Sequence, residues 1–248
     1  RVQDKQTKQL VRVEPLPIQR KIFDAVRQGH NRIIIVKARQ VAATTGAKMV
    51  LHWLARINPN AAMCAVLSMR ADSATALLDD HRRWLEDMPG ELRRPIRTKA
   101  RAQIVYDDTG ASIRAFTSRS TTGIRSFDPI AALISEAAYA PDLEETIAQA
   151  DAAVGDGLII VESTAQNPGD FFSQLVQGAP ENGWHLITLW WHEHPFYTDA
   201  RVEPDFQPDD SERQLANAYG LSDGQLSWRR RARARLGSDF KFRREYPG

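Results

Sequence analysis

Apolar residues recur along this chain in two rhythms, one with helical spacing and one of short unbroken runs. Ile18, Ile22, Phe23 and Val26 follow the helical spacing, and Pro17 suits the first turn of that helix. Arg32-Ile33-Ile34-Ile35-Val36 is a β-branched run between polar residues, which predicts a strand buried on both faces. A polar turn over 37–45 then leads to a helix predicted from about 44 to 57. Met49, Val50, Trp53, Leu54 and Ile57 form its apolar stripe, and Asn58-Pro59-Asn60 stops it. Residues 61–69 predict a second buried strand. Asp72 or Ser73 is placed to cap a third helix bearing Leu77, Leu78, Trp84 and Leu85, which Met88-Pro89-Gly90 ends. Residues 102–106 and 112–117 flank Asp107-Asp108-Thr109-Gly110 and read as a hairpin.

The alternation continues. Ile130-Ala131-Ala132-Leu133-Ile134-Ser135 predicts a buried strand ending at Glu136, and 143–153 a helix. Leu158-Ile159-Ile160-Val161 predicts another strand, ending at Glu162-Ser163-Thr164. A short helix over 171–177 and a strand over 184–191 follow. The acidic, Pro-rich stretch 195–208 reads as a linker, with two helices beyond it over 211–219 and 222–236. No internal repeat is visible. This order predicts an α/β fold with a mostly parallel central sheet flanked by helices. A boundary at 192/193 separates that core from the C-terminal segment. Ligands of such sheets sit at the carboxyl ends of the strands. Polar residues gather at three such ends: 37–45, 135–136 and 162–167.

Composition removes several classes. The 248 residues are 42% hydrophobic and 26% charged, an ordinary globular balance. No apolar run approaches the ~20 residues of a membrane span, and the N-terminus lacks a signal peptide's apolar core. Cys64 is the single cysteine and cannot form an internal disulfide, which suits a reducing compartment. The net charge of +2 conceals segregation. Residues 1–140 carry 23 basic and 13 acidic side chains, whereas 141–212 carry one and 15. Residues 226–248 carry eight basic and two acidic, including Arg229, Arg230, Arg231, Arg233 and Arg235. Such a pattern implies either a polyanionic partner or pairing within the chain.

The turn after the first buried strand occupies the place of a phosphate loop. Such a loop needs small residues for close backbone approach, a cation for the phosphate oxygens and a hydroxyl for Mg²⁺. Lys37 and Arg39 are cations, Ala42 and Ala43 are small, and Thr44 and Thr45 bear hydroxyls. GxxxxGK[ST] laid on 37–44 lacks both glycines and the usual lysine, so a plain strand–helix connection fits the same residues. Glu136, at a strand tip, is placed to polarise a water beside such a loop, or to serve only as an exposed capping acid. Ser135 stands where an Asp usually holds the Mg²⁺ water shell. Ser163 and Thr164 offer hydroxyls that could sense a γ-phosphate, or a simple polar turn. His192 and His194 alternate as on a strand, but two ligands make no metal site.

In this order and spacing the motifs resemble the ATPase domain of the large terminase subunit, the DNA-packaging motor of tailed phages. The resemblance runs over roughly 14–247. Leu16-Pro17-Ile18-Gln19 is similar to the adenine-recognising segment, so Gln19 is implied to bind nucleotide. Lys37-Ala38-Arg39-Gln40-Val41-Ala42-Ala43-Thr44-Thr45 is similar to the family's variant Walker A, whose early arginine is characteristic. Leu133-Ile134-Ser135-Glu136-Ala137-Ala138-Tyr139 is similar to Walker B with its catalytic glutamate. Glu162-Ser163-Thr164-Ala165-Gln166-Asn167-Pro168-Gly169-Asp170-Phe171-Phe172 is similar to the coupling motif. The segments 221–228 and 242–247 are similar to the region that closes the domain.

The resemblance implies an additional-strand, conserved-glutamate P-loop core over 1–192 and a small C-terminal lid over 193–248. It implies ATP and Mg²⁺ as cofactors, with Thr44 and Ser135 toward the metal and Glu136 as the catalytic carboxylate. Arg39 would neutralise phosphate charge in place of the missing lysine, with Lys37 and Lys48 as its rivals. The 40–45 amides would cradle the phosphates, and Arg125 would act in trans as an arginine finger; a DNA contact and a plain solvated arginine are the other readings of that loop residue. Double-stranded DNA, a portal protein, a small terminase subunit and a homo-oligomeric ring are the implied partners, without a membrane, in the host cytoplasm. A family nuclease domain would lie beyond Gly248. Ala42 stands where the family usually has Gly, a cost if φ is positive there. Ala42, Ala43 and Ser135 also motivate a nucleotide-binding regulatory or scaffold domain with little turnover. A helicase-type translocase and a plain DNA-binding module are the other readings.

Overall fold

A computed structural model describes residues 2–3, 10–11, 14–58, 62–90, 93–97, 100–117 and 123–248. Two short strands, β1 (Val2–Gln3) and β2 (Leu10–Val11), pair antiparallel outside the main sheet. Then come α1 (Pro17–Arg27), β3 (Arg32–Lys37), α2 (Ala43–Ile57), β4 (Met63–Ser68), α3 (Ala71–Glu86) and the hairpin of β5 (Gln103–Val105) and β6 (Ser112–Thr117). Next are β7 (Pro129–Ser135), α4 (Leu143–Val154), β8 (Leu158–Ser163), α5 (Phe171–Gln177) and β9 (His185–Leu189). Helices α6 (Asp210–Tyr219), α7 (Asp223–Leu236) and α8 (Asp239–Glu245) complete the chain. Among the described residues no helix is long and apolar enough to cross a membrane.

The main sheet has the order β5-β6-β4-β7-β8-β3-β9, and only the β5–β6 pairing is antiparallel. The consequential feature is β8. It separates β3, which feeds the polar loop, from β7, which ends at Glu136. A strand inserted there is the additional strand the resemblance implied. The buried runs explain the arrangement, since β4 and β8 are buried throughout and need a helical layer on each face. One core layer holds Ile33, Ile35, Leu133 and Ile160, and the other holds Ile34, Ala132, Ile134 and Val161.

Helix α2 turns a different stripe inward from the one its apolar residues suggested. Trp53 and Ile57 are half exposed, while Ala43, Gly46, Ala47, Val50, Leu51 and Ala55 are buried. Small residues decide this, because α2 lies close against α1. A Cβ at Gly46 would meet Gln19 Cγ at 3.0 Å and Ile22 Cδ1 at 3.3 Å. Arg70, not Asp72 or Ser73, is the cap residue of α3, and Asp72 instead lies in the first turn, where it favours the helix dipole. Strand β9 ends at Leu189, and Trp191–Glu193 form a 3₁₀ turn. His192 and His194 are therefore not strand neighbours. Helix α8 was not foreseen; its Ser238 cap accepts a hydrogen bond from the Lys241 N–H.

The segment beyond 192 is packed into the same core. Trp191 stacks on Trp228 with ring centroids 5.4 Å apart, and Tyr197, Phe242 and Tyr246 close around them. Aromatic pairs at such spacing add ~0.5–1.5 kcal/mol beyond burial. The N–H of Trp191 donates to the Pro247 carbonyl at 3.2 Å, and that of Arg39 to the Glu245 carbonyl at 2.9 Å. The chain end is thereby tied to the loop after β3.

Behind α2 lies a buried polar knot. The Tyr106 hydroxyl is 2.6 Å from His52 Nδ1 and 3.3 Å from His81 Nε2. Burial pushes the pKa of His52 down to about 4 and that of His81 well below its ordinary value. The unfolded chain takes up these protons near pH 6.5, and native His52 only near pH 4. Unfolding therefore binds protons across that window. Stability is full above pH 6.5 and falls as pH drops toward 4, by roughly 3 kcal/mol from His52 alone. Urea titrations at pH 7 and 4.5 check this, and equal stabilities would refute it.

Candidate active site

Side chains alternate faces along a strand. Lys37 therefore continues the face of Ile33 and Ile35, Ser135 that of Leu133, and Glu162 that of Ile160. Ser135 and Glu162 are register partners across β7 and β8, as are Ile35 and Glu162 across β3 and β8. The apolar face under α2 thus turns polar at the carboxyl edge, and Thr44 in the first turn of α2 meets it.

Glu162 is the hub. It is 0% exposed. Its Oε1 accepts from Ser135 Oγ at 2.6 Å and from Thr44 Oγ1 at 2.8 Å. Lys37 Nζ lies 3.1 Å from Oε2 and 3.4 Å from Glu136 Oε1. A buried carboxylate is tolerable only with such partners, and removing one leaves the other charge uncompensated. Burial disfavours the Lys37 ammonium, but the Glu162 and Glu136 carboxylates outweigh it and its pKa is raised. The Glu136 pKa is also raised, by burial foremost and by Glu162, against the opposing Lys37 and Arg39 charges. Glu136 caps the strand tip in the left-handed region, at φ 55°, ψ 42°. That backbone, rare for a residue with a side chain, is of the kind that gathers at functional sites.

The loop after β3 is shaped to receive an anion. Gln40 and Ala42 have φ of 59° and 62°. Ala42 is followed by the helical Ala43, a left-handed/right-handed pair that turns successive N–H groups into one concavity. Among the described residues no backbone carbonyl accepts from the N–H groups of Gln40 or of 42–45. Val41 and Ala43 are buried and pin the loop to the core. Gln19 braces it from α1: its Oε1 accepts from the Leu16 N–H at 3.0 Å, and its Nε2 donates to the Ala42 carbonyl at 3.2 Å. Ala42 carries the cost anticipated for a residue other than Gly. Ala42→Gly is expected to raise stability by about 1 kcal/mol, or Tm by roughly 2–4 °C. A thermal melt showing a lower Tm would refute this.

The other residues singled out in the sequence fall differently. Arg39 is exposed and pairs with Glu245 at 3.2 Å, so Lys37 is the cation seated among the carboxylates. Lys48 is buried against Asp80 and the Trp84 ring, and Glu162 acts on it only through its charge. Thr45 follows Thr44 in the first turn of α2 and is part-buried. Ser163 does not join this group. The pleat turns it to the face opposite Glu162, where its hydroxyl is buried without a hydrogen-bond partner. Thr164 Oγ1 lies 3.1 Å from the Tyr139 hydroxyl, linking the end of β8 to the turn after Glu136. Arg125 lies in a 3₁₀ turn over Ile124–Ser126, exposed, with Glu145 at 3.4 Å. Thr121 and Thr122 of its loop lie outside the described residues.

Much of the C-terminal basic charge is answered within the chain. Arg230 pairs with Glu212, Arg231 with Asp199 and Arg233 with Asp239. Arg229 lies over the Phe242 ring. The residue that sequence reasoning undervalued is Glu162. Its only signal was that a carboxylate directly follows a wholly apolar run; the register decides which face it takes.

No protein-family model matches this chain, and no curated protein matches it. Solved structures do. The large terminase of bacteriophage HK97 superposes with a TM-score of 0.64 at 18% identity, over 96% of this chain and 50% of that one. The large terminase of a thermophilic bacteriophage, in complex with ADP, gives 0.65 at 12% identity, over 95% and 53%. A point mutant of the Thermus phage P74-26 large terminase ATPase domain gives 0.60 at 14% identity, over 94% and 93%. The chain thus spans about half the length of the HK97 and ADP-bound large terminases and nearly all of the isolated ATPase domain. At these identities the likeness establishes architecture: this chain has the fold of the phage large terminase ATPase domains.

Proposed function

We propose that this chain is an ATP-hydrolysing motor domain that drives double-stranded DNA into a viral capsid. One observation carries the reading. The additional strand β8 brings Lys37, Thr44, Ser135, Glu136 and Glu162 to one point beside a loop with unengaged amides. The same thermophilic-phage large terminase has been solved with ADP and with ATP-gamma-S, which supports a nucleotide ligand here.

The residues fit the chemistry of phosphoryl transfer, in which positioning and electrostatics do most of the catalysis. The N–H groups of 40–45 cradle the phosphates, and Lys37 and Arg39 supply positive charge. Gln19, braced against the loop, is the candidate for adenine. The Thr44 and Ser135 hydroxyls would hold Mg²⁺, which when bound neutralises charge on the phosphate oxygens. Glu136 orients the attacking water and accepts its proton. Arg125 reaches a neighbouring subunit's site in a ring. The portal protein and small terminase subunit are the proposed further partners, in the host cytoplasm.

Steady-state phosphate release, measured with and without DNA, tests the reading. ATP-dependent release is the expected result. Nucleotide binding without release would favour a regulatory domain, a reading that Ala42, Ala43 and Ser135 motivate.

A further inference from the structure

A Mg²⁺ site in a phosphate-binding fold ordinarily takes its negative charge from an Asp at the end of the strand that precedes the catalytic carboxylate. Here that position is Ser135, which has a hydroxyl and no charge. The charge is nonetheless present one strand away. Ser135 and Glu162 are register partners, so the neighbouring strand places a carboxylate beside the vacant role. We propose that Glu162, on the additional strand, is the carboxylate that fixes the Mg²⁺ site of this chain, a role that rests on the ATPase reading above.

Three observations support this assignment. Glu162 is fully buried, so its charge is not screened by solvent and acts on whatever lies in the site. Its Oε1 accepts protons from both hydroxyls at the metal position, Ser135 at 2.6 Å and Thr44 at 2.8 Å. A hydroxyl that gives its proton to a carboxylate is left with lone pairs only, and those lone pairs are hard oxygen donors of the kind Mg²⁺ takes. Glu162 thereby orients two ligands with one oxygen, as outer-sphere carboxylates do at other metal sites. Its second oxygen faces Lys37 Nζ at 3.1 Å. That ammonium holds the charge of Glu162 balanced when no phosphate is present. Phosphate oxygens offer Lys37 another partner, and the carboxylate is then free to serve the metal. Metal and nucleotide therefore bind together, each weakly without the other.

The test measures the affinity of a fluorescent ADP analogue in Mg²⁺ and in EDTA, for the wild-type chain and for Glu162→Gln. Wild type is expected to bind about tenfold more tightly with Mg²⁺, the scale of one charge-assisted contact. Glu162→Gln should bind equally in Mg²⁺ and in EDTA, within about twofold, at whatever affinity the loss of Lys37's partner sets. Ser135→Asp added to Glu162→Gln should restore the Mg²⁺ effect by returning the charge to β7. A Glu162→Gln chain whose Mg²⁺ effect is undiminished overturns the assignment and leaves the ATPase reading intact. A wild-type chain that binds no nucleotide at all overturns both. Should Glu162→Gln fail to fold, anomalous scattering from Mn²⁺ in wild-type crystals grown with ADP decides. An ion beside Thr44 and Glu162 supports the assignment, and an ion elsewhere overturns it.

Discussion

Glu136→Gln is expected to bind ATP with near-native affinity and to hydrolyse it ~10²–10⁴ times more slowly, the usual worth of a positioned general base. The amide keeps the shape of the side chain and loses the proton acceptor. Binding survives because the loop amides and Lys37, not Glu136, face the phosphates in this reading. The structure adds a pH signature. Burial and Glu162 raise the Glu136 pKa, so the carboxylate begins to take up its proton above the ordinary carboxylate range. Turnover of the wild-type chain is present above that raised pKa and falls as pH drops through it. Phosphate release by the variant, with a binding titration beside it, checks the first part, and a pH profile of wild-type turnover checks the second. Near-native turnover by Glu136→Gln would remove this residue from the mechanism.

Arg125→Ala carries the second large expectation. An arginine finger supplied to a neighbouring site is worth ~10³–10⁵ in turnover. The exposed 3₁₀ turn presents Arg125 at the surface, where its ion pair among the described residues is an exposed one with Glu145. Such a pair is worth ~0.2–1 kcal/mol, so a stronger partner can displace it. The isolated domain with Arg125→Ala should bind ATP normally, whereas an assembled ring of it should hydrolyse at a small fraction of the native rate. Mixing Arg125→Ala subunits with Glu136→Gln subunits should restore part of the activity. Adjacent subunits of the two kinds then form composite sites with both groups intact. A mixture that assembles and shows no recovery would place Arg125 outside the reaction.

The sequence by itself determined the layers and the positions of the polar ends. Runs such as Ile33–Val36 and Leu158–Val161 have no polar residue to turn outward, so they require burial on both faces and hence helices on both sides of a parallel sheet. Glu136 after six apolar or small residues, and Lys37 after four, were legible for the same reason: a charge at the end of a buried run must emerge at the sheet edge. The requirement at Ala42 was also legible, because a loop that wraps phosphate needs a left-handed residue and alanine supplies it only at a cost.

Tertiary structure decided what those ends do together. A run that is apolar at every position carries no period-two signal, so its parity becomes visible only when neighbouring strands fix the register. Register turned Glu162 under α2 and Ser163 to the opposite face, although the two are adjacent in the chain. The strand order is set by contacts between residues far apart in sequence, and it inserted β8 between Lys37 and Glu136, making Glu162 their common partner. The same long-range packing matched Arg230 to Glu212 and Arg231 to Asp199 across the C-terminal segment. It also turned the small face of α2 inward because α1 leaves room for nothing larger at Gly46. Composition records how many charges and apolar groups a chain carries, and only the fold assigns each its neighbour.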